Sequence, residues 1–148
     1  NVNTSLIVSE LEMSQNEFEA RKSVALDREV DTKRQLQGQS PYLINAGFTY
    51  NHFDKEFEAG LFYNVQGRAL QVIGVGQFPD VFTEPFNSLN FNASKRLGES
   101  KNTTLSVKAE NLLNDLVESR FDYFGDSTYV FSSFAPGINV SLGLTMRF

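Results

Sequence analysis

The last stretch of the chain alternates. Ile138, Val140, Leu142, Leu144, Met146 and Phe148 are apolar, and Asn139, Ser141, Gly143, Thr145 and Arg147 stand between them. Successive side chains of a strand point to opposite faces, so this order puts every large apolar group on one face. A helix would scatter the same groups around its circumference. Strands of globular proteins average about 5–6 residues. A tilted strand that crosses a bilayer needs about 9–11. The run from Ile138 to Phe148 has the second length.

Five further segments carry the pattern. Val2, Thr4, Leu6 and Val8 alternate with Asn3, Ser5, Ile7 and Ser9, more weakly than the rest. Tyr42, Ile44, Ala46, Phe48 and Tyr50 form the next set, followed by Phe57, Ala59, Leu61, Tyr63 and Val65. Leu89, Phe91 and Ala93, then Leu105, Val107 and Ala109, complete it. The interleaved residues are rich in Asn, Ser and Gly. Asn111 falls on the apolar parity, so the regular strand is expected to end or bulge there.

Connections between these segments are of two kinds. His52–Glu56 and Gly98–Asn102 are short and polar, whereas Met13–Gln39, Ala69–Asn87 and Asn114–Pro136 are long. Short and long alternate along the chain. Membrane barrels of the outer-membrane type have short periplasmic turns and long outer loops. In a compact soluble domain, long loops without structure of their own are uncommon. A soluble antiparallel sandwich also alternates. Strand length, the Asn/Ser/Gly-rich polar face and the loop order favour the membrane barrel. On that orientation the final strand runs inward and Phe148 ends at the periplasmic face.

Composition excludes several classes. There is no Cys, which removes disulfide frameworks, thiolate metal sites and Cys nucleophiles. A net charge of −5 speaks against nucleic acid as a partner. No run of about 20 apolar residues is present, so no transmembrane helix is expected. The single histidine, His52, lies in a short turn without a neighbouring acid or nucleophile, and no phosphate-cradling glycine loop stands before a helix. Neither enzymatic activity nor a cofactor or metal site is expected. The chain starts at Asn1 with no apolar leader, which suggests a piece of something longer.

Three segments carry a family resemblance. They are Leu36-Gln37-Gly38-Gln39-Ser40-Pro41-Tyr42-Leu43-Ile44-Asn45-Ala46-Gly47-Phe48-Thr49-Tyr50, then Tyr63-Asn64-Val65-Gln66-Gly67-Arg68, then Ala109-Glu110-Asn111-Leu112-Leu113-Asn114. In this order, and followed by Pro136-Gly137 and a strand ending in Phe, they resemble the last strands of TonB-dependent receptors, especially those of the Bacteroidota. The resemblance covers residues 36–148. It implies an all-β fold, an antiparallel transmembrane β-barrel of about 22 strands with a plug in its lumen. Residues 1–148 are then its C-terminal portion, about six strands, with the plug domain and the N-terminal strands outside the chain. The implied function is energised uptake of a scarce nutrient, a siderophore, peptide or similar compound, across the cell outer membrane. The implied partners are outer-membrane lipid, the TonB complex acting through a missing N-terminus, and the barrel-assembly machinery during insertion. The other function class is structural: a receptor-like barrel serving as an accessory subunit of a larger outer-membrane complex.

Candidate residues follow from this frame. Phe148, an aromatic closing an alternating strand, resembles the signal read by the assembly machinery; otherwise it is an ordinary lipid-facing Phe. Arg96, Lys108, Glu110 and Arg147 fall on the lumen-facing parity, where they line the inner wall or grip a plug. Phe78, Asp80 and Phe82 in one long connection, and Arg120, Asp122, Tyr123 and Tyr129 in another, are candidates for contact with a ligand or a surface lipoprotein.

Overall fold

The computed structural model describes residues 1–25, 29–75, 77–98, 102–123 and 129–147. The elements in chain order are β1 (Val2–Leu6), β2 (Glu10–Glu12), α1 (Gln15–Val24), β3 (Lys33–Gln35), β4 (Tyr42–His52), β5 (Phe57–Gln66) and β6 (Ala69–Val72). Then come β7 (Asp80–Thr83), β8 (Phe86–Leu97), β9 (Thr103–Glu110), β10 (Val117–Asp122), β11 (Val130–Phe134) and β12 (Asn139–Met146). Apart from α1 the regular structure is β.

The six alternating segments are the six strands of the main sheet, in the order β1-β4-β5-β8-β9-β12. Every neighbouring pair is antiparallel. Register decides which side chains share a face, because a slip of one residue would invert a whole strand. Here no strand is inverted. Tyr50 stands opposite Ala59, Ala59 opposite Ala93, Ala93 opposite Val107 and Val107 opposite Leu142. One row over, Phe48, Leu61, Phe91, Ala109 and Val140 line up in the same way. The other face carries rows such as Thr49, Gly60, Asn92, Lys108 and Ser141.

Among the described residues no second layer packs on the apolar face. Leu142 is 76% exposed, Phe48 69% and Val140 65%. Antiparallel sheets in water bury their apolar face against a second layer. Of the main sheet's apolar face only Val65 and Ala109 are buried; most other buried apolar residues belong to a second sheet of order β11-β10-β7-β6. Leu70, Val81 and Ser119 form its core. β6 follows β5 after only Gly67 and Arg68, and β8 follows β7 after only Glu84 and Pro85. The second sheet therefore begins where the first one stops, at the end that holds all the long connections.

Those connections are more structured than the sequence suggests. Besides the second sheet they form the ribbon of β2 with β3 and the helix α1. Their strands are only 3–6 residues long, too short for a period to show. Their partners also come from different connections, since β7 pairs with β10. The helix did leave a local signal, Ser14-Gln15-Asn16-Glu17. Ser14 caps it, its Oγ accepting the Glu17 N–H at 3.3 Å.

Aromatics interrupt the polar face at Phe62 and Phe86. The Phe62 ring covers Gly47 on β4 and Gly60 on its own strand. A Cβ placed on Gly60 would lie 2.6 Å from Phe62 Cε2 and 2.7 Å from Asn92 Oδ1. An aromatic over strand glycines shields backbone that has no side chain of its own. Gly60→Val should lower stability by about 1–3 kcal/mol through overpacking. In a Phe62→Ala background the same change should cost less than half as much, since only the movable Asn92 amide then stands in the way. Thermal unfolding of the four variants reads this coupling.

Candidate functional site

Three of the four charged candidates on the polar face, Arg96, Lys108 and Glu110, are ion-paired locally. Arg96 pairs with Glu56 at 3.0 Å, and its backbone N–H donates to the Glu56 carbonyl at 3.1 Å, which ties the two short turns together. Lys108 and Glu110, two apart on β9, pair at 2.7 Å. Arg147 lies past the end of β12, where its N–H donates to the Asn102 carbonyl at 2.9 Å. These groups are spread along the face rather than gathered at a point. Phe148 lies outside the described residues.

At the opposite end of the strands, β9 stops at Glu110. Asn111 takes a left-handed conformation (φ 54°), as does Asn114 (φ 52°), a region Asn tolerates better than most residues. The Asn111 side chain is buried and knits three segments. Its Nδ2 donates to the Gly137 carbonyl at 3.0 Å, its Oδ1 accepts the Asp115 N–H at 3.3 Å, and its own N–H donates to Asn90 Oδ1 at 3.1 Å. Asp115 then reaches back to β8, with Oδ2 accepting the Asn87 backbone N–H at 2.7 Å and Asn87 Nδ2 at 3.0 Å. Tyr63 on β5 donates its hydroxyl to Asn87 Oδ1 at 2.7 Å. The turn read in the sequence as the end of a strand is thus a junction of β5, β8, β9 and the approach to β12.

The long connections enclose a cleft of about 410 Å³. Five of the seven loop candidates line it: Phe78, Asp80, Phe82, Asp122 and Tyr123. Arg120 and Tyr129 do not. Arg120 turns to Glu118 at 2.9 Å, and Tyr129 is 69% exposed. The facing wall comes from α1 and the β2–β3 ribbon, whose residues Arg21 and Arg34 the sequence reading missed. No spacing rule joins residue 21 to residue 80, so only the fold reveals them.

Arg21 holds the two walls together. Its Nη1 and Nη2 donate to the two oxygens of Asp80 at 2.9 and 2.8 Å, a fork-to-fork pair. Asp80 also accepts the Gly74 N–H at 2.7 Å. Glu17, one turn before Arg21, accepts from it at 3.4 Å and from Arg34 at 2.8 Å. The Asp80 carboxylate raises the Arg21 pKa further above its ordinary value by accepting these bonds, against an opposing effect of burial. Arg68 bridges Asp122 at 3.0 Å and Glu84 at 3.2 Å, with its guanidinium 4.2 Å from the centre of the Phe82 ring.

Among the described residues, no three His, Cys, Asp or Glu side chains are placed to hold a metal ion. Comparison with protein-family models, with curated proteins and with solved structures finds no match.

The Asp115 junction generates a pH prediction. The bonds from Asn87, backbone first, hold its carboxyl below the usual carboxylate value. A depressed native pKa contributes stability above the unfolded value, about 3.9 for Asp, and loses it as pH falls through the native value. The junction should therefore be indifferent to pH near neutrality and weaken in acid below about pH 4. Asp115→Asn should remove part of that acid dependence. Thermal transitions of both proteins between neutral pH and about pH 3 measure it.

Proposed function

We propose that this chain is the C-terminal barrel segment of an outer-membrane receptor of the TonB-dependent type, working in energised nutrient uptake. The observation that carries the reading is the apolar face of the main sheet. Apart from Lys95 it is coherent across the strands, it is wide, and no layer formed by the described residues covers it. Such a face is stable against lipid chains, and in water it would be an aggregation surface.

Other features fit the same reading. Long connections gather at one end and short turns at the other, as outer loops and periplasmic turns do in such barrels. The edges of the sheet, β1 and β12, have backbone groups without ladder partners among the described residues. In a bilayer those groups need further strands, and a larger barrel supplies them. The resemblance of residues 36–50, 63–68 and 109–114 to TonB-dependent receptors narrows the barrel class. A cleft at the loop end favours a ligand-handling role over a purely structural one.

A matched pair of charge insertions tests the membrane reading. Leu142→Arg sits mid-strand on the apolar face and should cost about 2–4 kcal/mol if that face meets lipid. Ser141→Arg, on the polar face next door, should stay within about 0.5 kcal/mol. Denaturant unfolding of the native protein in lipid vesicles gives both numbers. Equal and small effects would sink the proposal, because an arginine at a water-exposed site costs almost nothing.

A further inference from the structure

The cleft at the loop end is unbalanced in charge. Among the described residues its cations are ion-paired: Arg21 with Asp80, Lys33 with Glu10 at 3.2 Å and Arg34 with Glu17. Two of its acids have no such pair. Glu29 and Asp31 line the cleft, and neither has an ion pair among the described residues. The opposite wall is aromatic. Phe78 stands at its rim, 78% exposed, and Phe82 lies deeper. Phe82 already holds a guanidinium over its ring, that of Arg68. The cleft therefore offers carboxylates without ion pairs on one side and rings suited to cations on the other. A volume of about 410 Å³ matches sites for small organic molecules.

We infer that this cleft binds a small organic cation, an amine or guanidinium carried beside an aromatic or apolar group. Glu29 and Asp31 receive the charge and Phe78 covers the apolar part. The inference gives the receptor reading a substrate class. It rests on that reading for the ligand's fate in uptake, and on the cleft alone for binding.

Two probes of matched size test it by calorimetric titration of the native protein in detergent. Phenylalanyl-arginine amide is cationic and N-acetyl-phenylalanyl-glutamate is anionic. The cationic probe should bind and the anionic one should not. Glu29→Gln combined with Asp31→Asn should weaken the cationic probe at least about fivefold, and raised salt should weaken it too. Asn at 31 keeps an oxygen to accept the Lys33 N–H, a bond of 3.1 Å, so the local turn survives. Phe78→Ala, at an exposed position, should also weaken binding with no loss of fold. Tighter binding of the anionic probe, no binding of either, or no response to the double variant would overturn the inference. Recovery of the protein from the soluble fraction would overturn the receptor reading instead, and the same titration would still report on the cleft.

Discussion

Register is the constraint on which the rest depends. Each strand of the main sheet is apolar at most alternate positions, with Lys95 on β8 an exception, and that period has meaning only if neighbours are in phase. The antiparallel ladders hold them in phase from Tyr50 across to Leu142. A slip at any one ladder would place Leu, Phe and Val side chains among Asn and Ser. The backbone hydrogen bonds fix the strands, and the side-chain pattern fixes which pairing the bonds adopt. A sheet built this way has one face suited to hydrocarbon and one suited to water.

The loop end follows a different physics. There the buried apolar groups are few, with Leu70 and Val81 at their centre, and charged or amide side chains do the joining. Arg21 and Glu17 link α1 to β7 and β3, and Arg68 links Asp122 to Glu84. Asn111 and Asp115 close the junction between β8 and β9. α1 itself buries no side chain, so its place depends on these polar bonds. Such bonds are partly exposed and directional, and they set positions more than they add stability. That suits a region whose role is to shape a cleft.

The main sheet was legible because its signal is long and local. Ten residues in alternation outweigh the weak propensity of Asn or Gly at any one place, and the first short turn fell where the pattern broke. The end of β9 at Asn111 was legible for the same reason, as an amide on the wrong parity. The second sheet was not, because β7 and β10 are brief and find each other across 35 or more intervening residues. α1 was announced by Ser14 and Glu17 but hidden in a polar stretch with no apolar stripe. Five cleft residues were picked out as aromatic or acidic loop residues. Their partners Arg21 and Arg34 emerge only from tertiary structure, since ion pairs between distant segments leave no mark on sequence spacing.

The central claim is that the apolar face of the main sheet meets lipid. The chain contains no Cys, so single cysteines along β12 can carry a nitroxide label without background from this chain. Collisions with oxygen report lipid exposure, and collisions with a water-soluble nickel chelate report aqueous exposure. In the native protein in bilayers, oxygen access should peak at Val140, Leu142, Leu144 and Met146, and nickel access at Asn139, Ser141, Gly143 and Thr145. Nickel reaching both sets equally would contradict the account.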